Sequence, residues 1–438
     1  MSIVLLPSEI YHREFDAKLI LAMRLVQDHN CMVLVGYDKH FNNISKPMPP
    51  ALLMDKSCSS MIWKGRIKNI MLSGGNAIVN DEEGFNGLSR SNKNSFLNRV
   101  DDLAACSIKK YLCWGEIDFK FFSQVKQLCG KSVVLGNCRS DLLSERGRDF
   151  YSDESQALQR IYGNFVLCSD NFGVEDRSGP YLPPQFNDSD EVNKLANIEF
   201  EKRITELKRR REIYCQVLEE AVVKLPYTNF ILRPHPRSDQ RWWVNRFWKY
   251  RNFHIIYHLN IEPWIHSAAA LLSMGCTSAL QSIVAGTPVI EIVDKNQHFA
   301  SAQISGYALK FTNLHVSSGA ELIQALGDAQ DKKSSFNSVD MIDRYWHLCR
   351  ESTASIRFSE LMGEFIPPFN PNNLRSLQDM LSRYSVFYKK YGIRFNDTKW
   401  HKPQLSTVIR KLNSIAKSFE LRVPKIYKVC ESLYLIGP

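Results

Sequence analysis

Short apolar runs that stop at a glycine or a polar loop, separated by stretches of helical spacing, recur along most of the 438 residues. Ser2–Leu6 is the first. Glu14–Gln27 follows it with Phe15, Leu19, Ala22, Met23 and Val26 on one helical face. Cys31–Val35, Ile67–Met71, Ala77–Val79, Lys110–Cys113 and Ser132–Leu135 are further candidate buried strands. Buried strands alternating with helices predict a parallel, doubly wound α/β sheet. Gly36, Gly115 and Gly136 leave strands at its carboxyl edge, where the ligands of such sheets bind.

The pattern restarts after a mixed-charge connector at residues 141–164. Strand Phe165–Cys168, polar loop Ser169–Glu191 and a long helix near Asn193–Lys224 come first. Strands Asn229–Leu232, His254–Tyr257, Ala270–Ser273 and Val289–Ile292 then alternate with helices Glu262–Ala269 and Ser278–Ala285. From Pro367 onward the spacing is helical, over Asn372–Tyr388 and again over residues 404–420. Three domains follow: 1–158 and 159–365, both Rossmann-like, and a helical extension at 366–438. A chain of this length is long for one hydrophobic core and comfortable for two.

Composition removes several functional classes. Hydrophobic residues at 44% and charged residues at 23% exclude wholesale disorder. No apolar run reaches the roughly 18 residues that a membrane-spanning helix needs. Met1–Pro7 lacks a basic leader and reads as a first strand, which places the protein in the cytoplasm. Eleven cysteines without any Cys-x-x-Cys spacing argue for reduced, buried thiols, against zinc and against a disulfide framework.

The net charge of +10 asks for a polyanionic partner. Residues 401–438 carry half of it, with Lys402, Arg410, Lys411, Lys417, Arg422, Lys425 and Lys428 against Glu420 and Glu431. Nucleic acid is disfavoured, because the basic residues are not interleaved with aromatics on a recognisable module. Lys208-Arg209-Arg210-Arg211 reads as a solvated helix face. The helix at 404–420 has an apolar stripe (Leu405, Val408, Ile409, Leu412, Ile415, Ala416, Phe419) and a basic opposite face. It lies on an anionic membrane or packs on the body of the protein, two readings that are compatible.

The chemistry should sit just after strands. Phe230-Ile231-Leu232 runs straight into Arg233-Pro234-His235-Pro236, where two prolines fix the backbone and aim the imidazole out of the strand end. A guanidinium and an imidazole together suit a diphosphate or a monophosphate diester. After strand Ala270–Ser273, Met274-Gly275-Cys276 leads to Thr277 and Ser278 at the start of a helix. Free amides and the positive helix end make that an anion site. Asp81-Glu82-Glu83-Gly84 could hold a general base or form a solvated turn. Asp170, in Ser169-Asp170-Asn171, and Asp239, just past Pro236, are further carboxylates near the same strand ends.

In order and spacing these fragments resemble the bacterial surface-carbohydrate biosynthesis glycosyltransferases of capsule and lipopolysaccharide assembly. They run from Arg13-Glu14-Phe15-Asp16-Ala17-Lys18 through Asp81-Glu82-Glu83-Gly84, Gly136-Asn137-x-Arg139-x-Asp141 and Asn171-Phe172-Gly173. Arg233-Pro234-His235-Pro236, Glu262-Pro263-Trp264, Cys276-Thr277-Ser278 and Ala285-Gly286-x-Pro288 complete the series. Within that group the chain is similar to β-Kdo transferases and, more distantly, to bacterial sialyltransferases. Cys138 stands where the commoner pattern has proline.

The resemblance implies a GT-B-like α/β fold, two Rossmann-type doubly wound domains facing across a cleft, with a C-terminal helical extension. It implies a CMP-activated acidic sugar, Kdo, as donor and a glycan or lipid-linked oligosaccharide as acceptor, with no metal or other cofactor. His235 would contact the CMP phosphate, with Arg233, Thr277 and Ser278 beside it, and Glu262 would reach the ribose. An inverting reaction would use Glu82 or Glu83 as base. A retaining one would use Asp239 or Asp170 as nucleophile. The protein would work in the cytoplasm, peripherally at the inner membrane. The alternatives are a UDP-sugar 2-epimerase-like enzyme and a non-catalytic phosphoglycolipid-binding protein.

Overall fold

A computed structural model describes all residues except 45–47, 83, 85–99, 173–190, 236–237, 259, 296–310, 313, 332–341, 349–350, 369 and 394–399. The chain divides into two units, the first made of Met1–Phe150 with Asp340–Pro438 and the second of Tyr151–Val339. The second unit is therefore an insertion in the first. The last hundred residues return to the unit in which the chain began.

The first unit is built on an eight-stranded sheet. Its strands are β1 (Ile3–Ser8), β2 (Met32–Tyr37), β3 (Leu52–Asp55), β4 (Asn76–Asn80), β5 (Lys110–Cys113) and β6 (Ser132–Val134), with β13 (Lys425–Cys430) and β14 (Leu433–Gly437) from the chain end. The order is β13-β14-β2-β1-β3-β4-β5-β6. Strands β1 to β6 pair in parallel. The β13–β14 hairpin adds to β2 in antiparallel register. Every residue of β1 and β2 is buried, as a strand covered on both faces requires.

Two sequence expectations fail here. Ile67–Met71 is helical, because the buried Ile62, Ile67 and Ile70 recur at helical spacing around half-buried and exposed positions. The strand in that region is β3, whose four residues are all buried. The chain end is also not wholly helical. Helices α7 (Ala354–Gly363), α8 (Pro371–Tyr391) and α9 (Leu405–Phe419) form, and the hairpin then extends the sheet.

Helix α1 (Asp16–His29) follows β1, and both α7 and α9 pack against it. Val408, Leu412, Ile415, Ala416 and Phe419 of α9 are buried. Lys411 pairs with the buried Asp16 of α1 at 2.6 Å. Five of the seven stripe residues of α9 are spent on this packing, with Leu405 half-buried and Ile409 exposed. Asp141 accepts the amides of Ala354 and Ser355 at 2.7 and 2.9 Å and so caps the start of α7.

The second unit holds a six-stranded sheet of β7 (Phe165–Ser169), β8 (Asn229–Arg233), β9 (Phe253–Ile255), β10 (Ala270–Ser273), β11 (Val289–Ile292) and β12 (Leu314–Val316). All pairs are parallel, in the order β12-β11-β10-β7-β8-β9. The first strand of the unit is central. Two strands are added on one side of it before the chain crosses to add three on the other. This is the Rossmann order, and its switch point lies between β7 and β10. Helices α2 (Glu191–Lys224), α3 (Gln240–Phe247), α4 (Ile261–Ser267), α5 (Thr277–Val284) and α6 (Gly319–Asp331) accompany the strands.

Candidate functional site

The site begins where β7 ends. Ser169 donates to the Leu272 carbonyl of β10 at 3.2 Å, and Asp170 and Asn171 follow. Asp170 is buried and accepts four hydrogen bonds, from the Phe172 amide (2.8 Å), the His235 amide (3.0 Å), Trp243 Nε1 (3.2 Å) and the Ser238 hydroxyl. Ser238 closes the turn by donating its amide to the His235 carbonyl at 2.8 Å. Asp170 is thus the post on which the loop after β8 is hung. Pro236 lies outside the described residues.

Asn171 reaches the other way. Its side-chain amide donates to the Gly275 carbonyl at 2.8 Å, in the loop after β10. That loop is tied at nearly every polar atom. The Met274 carbonyl accepts from Arg210 of α2 at 2.6 Å. The amide of Gly275 donates to Glu291 of β11 at 2.9 Å, and that of Cys276 to the Ser273 hydroxyl at 3.1 Å. Gly275 has φ +80°, in the left-handed region that glycine occupies without strain. Helix α5 then starts at Thr277, where Cys276 makes no side-chain capping bond while the Ser278 amide acts on its thiol. Thr277 is exposed and Ser278 buried, its hydroxyl donating to Cys276 Sγ at 2.9 Å.

The His235 loop and the Thr277–Ser278 turn follow strands that are not neighbours. In the structure β7 stands between β8 and β10. The crossover at the switch point puts it there, and the neighbouring residues Asp170 and Asn171 hold one loop each. Glu291, on the floor of this arrangement, is pushed up to about 7 by burial, against the pull of the Gly275 amide.

Arg233 is half-buried at the end of β8. It donates to the His258 carbonyl and lies over the rings of Tyr257 and Trp264, at 5.6 and 5.5 Å. Burial pulls its guanidinium down to about 10, against Tyr257 and the nearby Glu262. Glu262 sits buried in the first turn of α4. Asp239 caps α3, accepting the Arg241 amide at 2.9 Å and pairing with the Arg241 guanidinium at 3.1 Å.

Glu82 belongs to the first unit, just past the end of β4. It is buried and pairs with the buried Lys18 of α1 at 3.0 Å. Asn137 donates to it at 3.3 Å and to Asn80 at 2.7 Å. Burial raises its carboxyl, but Lys18 and Arg139 outweigh that and hold it below the usual range. Close by, Glu14 accepts from Arg13 at 2.7 Å and from the Glu9 amide at 2.7 Å, and burial pushes it up. Glu83 lies outside the described residues. No group of His, Cys, Asp and Glu among the described residues is arranged to hold a metal ion.

Sequence reasoning missed Arg210 and Glu291. Arg210 lay in a run read as solvated, and Glu291 lay inside an apolar strand. No local signal distinguishes either, because both act on a loop distant in sequence.

Two Rossmann-like α/β units of this construction define a protein of the GT-B fold class. Solved structures agree with this at low identity. The UDP-GlcNAc 2-epimerase of Methanocaldococcus jannaschii matches with a TM-score of 0.50 and 12% identity, over 83% of this chain and 99% of its own. The S. aureus MnaA–UDP co-structure matches with a TM-score of 0.50 and 10% identity, over 83% and 97%. No family model matches the chain, and no curated protein matches it in sequence.

Proposed function

We propose that the protein is a nucleotide-sugar-dependent glycosyltransferase of bacterial surface-polysaccharide synthesis, with the donor phosphate held in the second unit. The observation that carries this reading is the pair Asp170–Asn171. These two residues fix an imidazole-bearing loop and a helix start on opposite sides of one switch point, where Rossmann sheets bind nucleotides. His235 contacts the phosphate, the first amides of α5 and Thr277 and Ser278 neutralise it, and Arg233 adds positive charge nearby. Glu262 reaches the ribose. A leaving phosphate neutralised by these groups needs no metal.

The motif resemblance makes the donor a CMP-activated acidic sugar, Kdo, and the acceptor a glycan or lipid-linked oligosaccharide. The protein would work at the cytoplasmic face of the inner membrane. In a retaining transfer Asp239 is the stronger candidate nucleophile, because the carboxylate of Asp170 is committed to four donors. In an inverting transfer Glu82 or Glu83 would take the acceptor proton, and Glu82 would first have to part from Lys18.

A second reading, a UDP-sugar 2-epimerase-like enzyme, draws on the two solved neighbours, one named a UDP-GlcNAc 2-epimerase and the other bound to UDP. Calorimetry with CMP and UDP separates the two. Preference for CMP supports the transferase, and preference for UDP sinks its CMP form in favour of the epimerase. His235→Ala should weaken nucleotide binding by about tenfold or more, as loss of a charge-assisted contact does. Unchanged affinity would refute its phosphate role. Intact-protein mass spectrometry after incubation with a CMP-Kdo-generating system and a glycolipid acceptor tests the retaining route. A sugar-sized adduct absent in Asp239→Ala would place the nucleophile there, and normal turnover by that variant would remove Asp239.

A further inference from the structure

The run Lys208-Arg209-Arg210-Arg211 looks like a basic patch, yet its arginines are all engaged. Arg209 pairs with Glu206 at 3.0 Å and with Asp294. Arg211 lies 3.7 Å above the Trp242 ring. Arg210 points the other way, into the unit. It is only 6% exposed, and its Nη2 donates to the Met274 carbonyl at 2.6 Å.

We propose that Arg210 is a positioning residue of the nucleotide site, fixing the Met274 carbonyl so that the first amides of α5 face the donor phosphate. This rests on the donor reading above. A buried guanidinium is costly to desolvate unless its donors are engaged. Here the short bond goes to a main-chain oxygen, at the residue before the left-handed Gly275. Two successive carbonyls, Met274 and Gly275, are drawn inward by Arg210 and Asn171. The Gly275 and Cys276 amides are drawn inward by Glu291 and Ser273. With the loop pinned on that side, the start of α5 is held in place, and the first amides of a helix have no intrahelical partner. A loose loop would have to be ordered by the ligand, and that ordering would be subtracted from affinity. The charge of Arg210 also acts on Glu291, which joins the two sides of the brace electrostatically.

The test is nucleotide binding to the full chain by calorimetry, with CMP and UDP as probes, beside a thermal melt of each variant. Arg210→Gln should bind the preferred nucleotide about tenfold to a hundredfold more weakly, the range for losing a hydrogen bond from a charged donor. Arg210→Lys should recover part of that loss, since an ammonium can still donate to the carbonyl. Arg211→Gln removes the same charge from the same helix and should bind as wild type. Equal weakening in Arg210→Gln and Arg211→Gln would mean that charge alone matters and would overturn the positioning role. Wild-type affinity in Arg210→Gln would overturn it as well. If Arg210→Gln does not fold, Asn171→Ala carries the test, because it frees the next carbonyl of the same loop. It should weaken binding too, and unchanged affinity there counts against the proposal. A wild-type chain that binds neither nucleotide would remove the donor reading and this role with it. A wild-type chain that binds, beside an unaffected Arg210→Gln, would remove this role alone.

Discussion

Asp170 and Asn171 stand side by side at the end of β7 and hold loops on opposite sides of it. Removing the carboxylate in Asp170→Ala leaves two backbone amides, a hydroxyl and an indole N–H without their acceptor. We expect a loss of about 3 kcal/mol or more in urea denaturation, given the cost of stranding buried donors. Glu291 makes a prediction about pH. Its folded-state value, about 7, lies above the ordinary glutamate value, so the fold favours the protonated form. That stability is fully present below the unfolded value and is lost as pH rises through 7. Wild type should therefore lose stability relative to Glu291→Gln between about pH 4.5 and 7, by on the order of 3 kcal/mol. Parallel stability curves for the two proteins across that window would contradict the assignment.

Among the elements, α9 shows how an amphipathic pattern is ambiguous until its partner is known. Its stripe admits both a membrane surface and a protein surface, and the structure fills it with α1 and the helix Glu145–Phe150. Leu412 is 1% exposed, and Leu412→Ala should cost about 2 to 5 kcal/mol by leaving a cavity. Ile409 is 39% exposed, and Ile409→Ser should leave the melting temperature within a degree or two, as surface changes usually do. Equal effects from the two variants would show that the helix is not docked as described. The run Ile67–Met71 carries the same lesson for strands. Its apolar residues fall at 67, 70 and 71, and with Ile62 they follow helical spacing rather than alternation.

On the scale of the whole molecule, the chain leaves its first unit, builds a second and returns. The returning hairpin covers β2, pairing Leu433 with Gly36 through to Ile436 with Val33. Gly36 tolerates no side chain there, since a Cβ would lie 2.2 Å from the Ser432 carbonyl. Deleting residues 425–438 would leave β2, apolar along its whole length, as a bare edge. We expect that truncation to lower the melting temperature and to cause aggregation that gel filtration detects. A monomeric product melting as the full chain does would argue against the hairpin's structural part.

Much of this architecture was legible in the residues. Strands β5, β10 and β11 stand where their apolar runs put them, and the Rossmann class follows from alternation alone, because strands covered on both faces must be apolar throughout. The end of β8 at Arg233 and the start of α5 at Thr277 were legible too, since strand ends before proline and helix starts are local properties. Among helices of the described residues, none is long and apolar enough to cross a membrane, a property that reading the chain also reaches. Strand order was not local. Only the tertiary structure set β7 between the two candidate loops, turned Asp170 and Asn171 into their common support, brought Arg210 across 64 residues to Met274, and returned the chain end to the first sheet. Hydrophobic periodicity specifies which face of an element is buried, whereas the partner that buries it is chosen by crossovers and long-range packing, which no window of sequence contains.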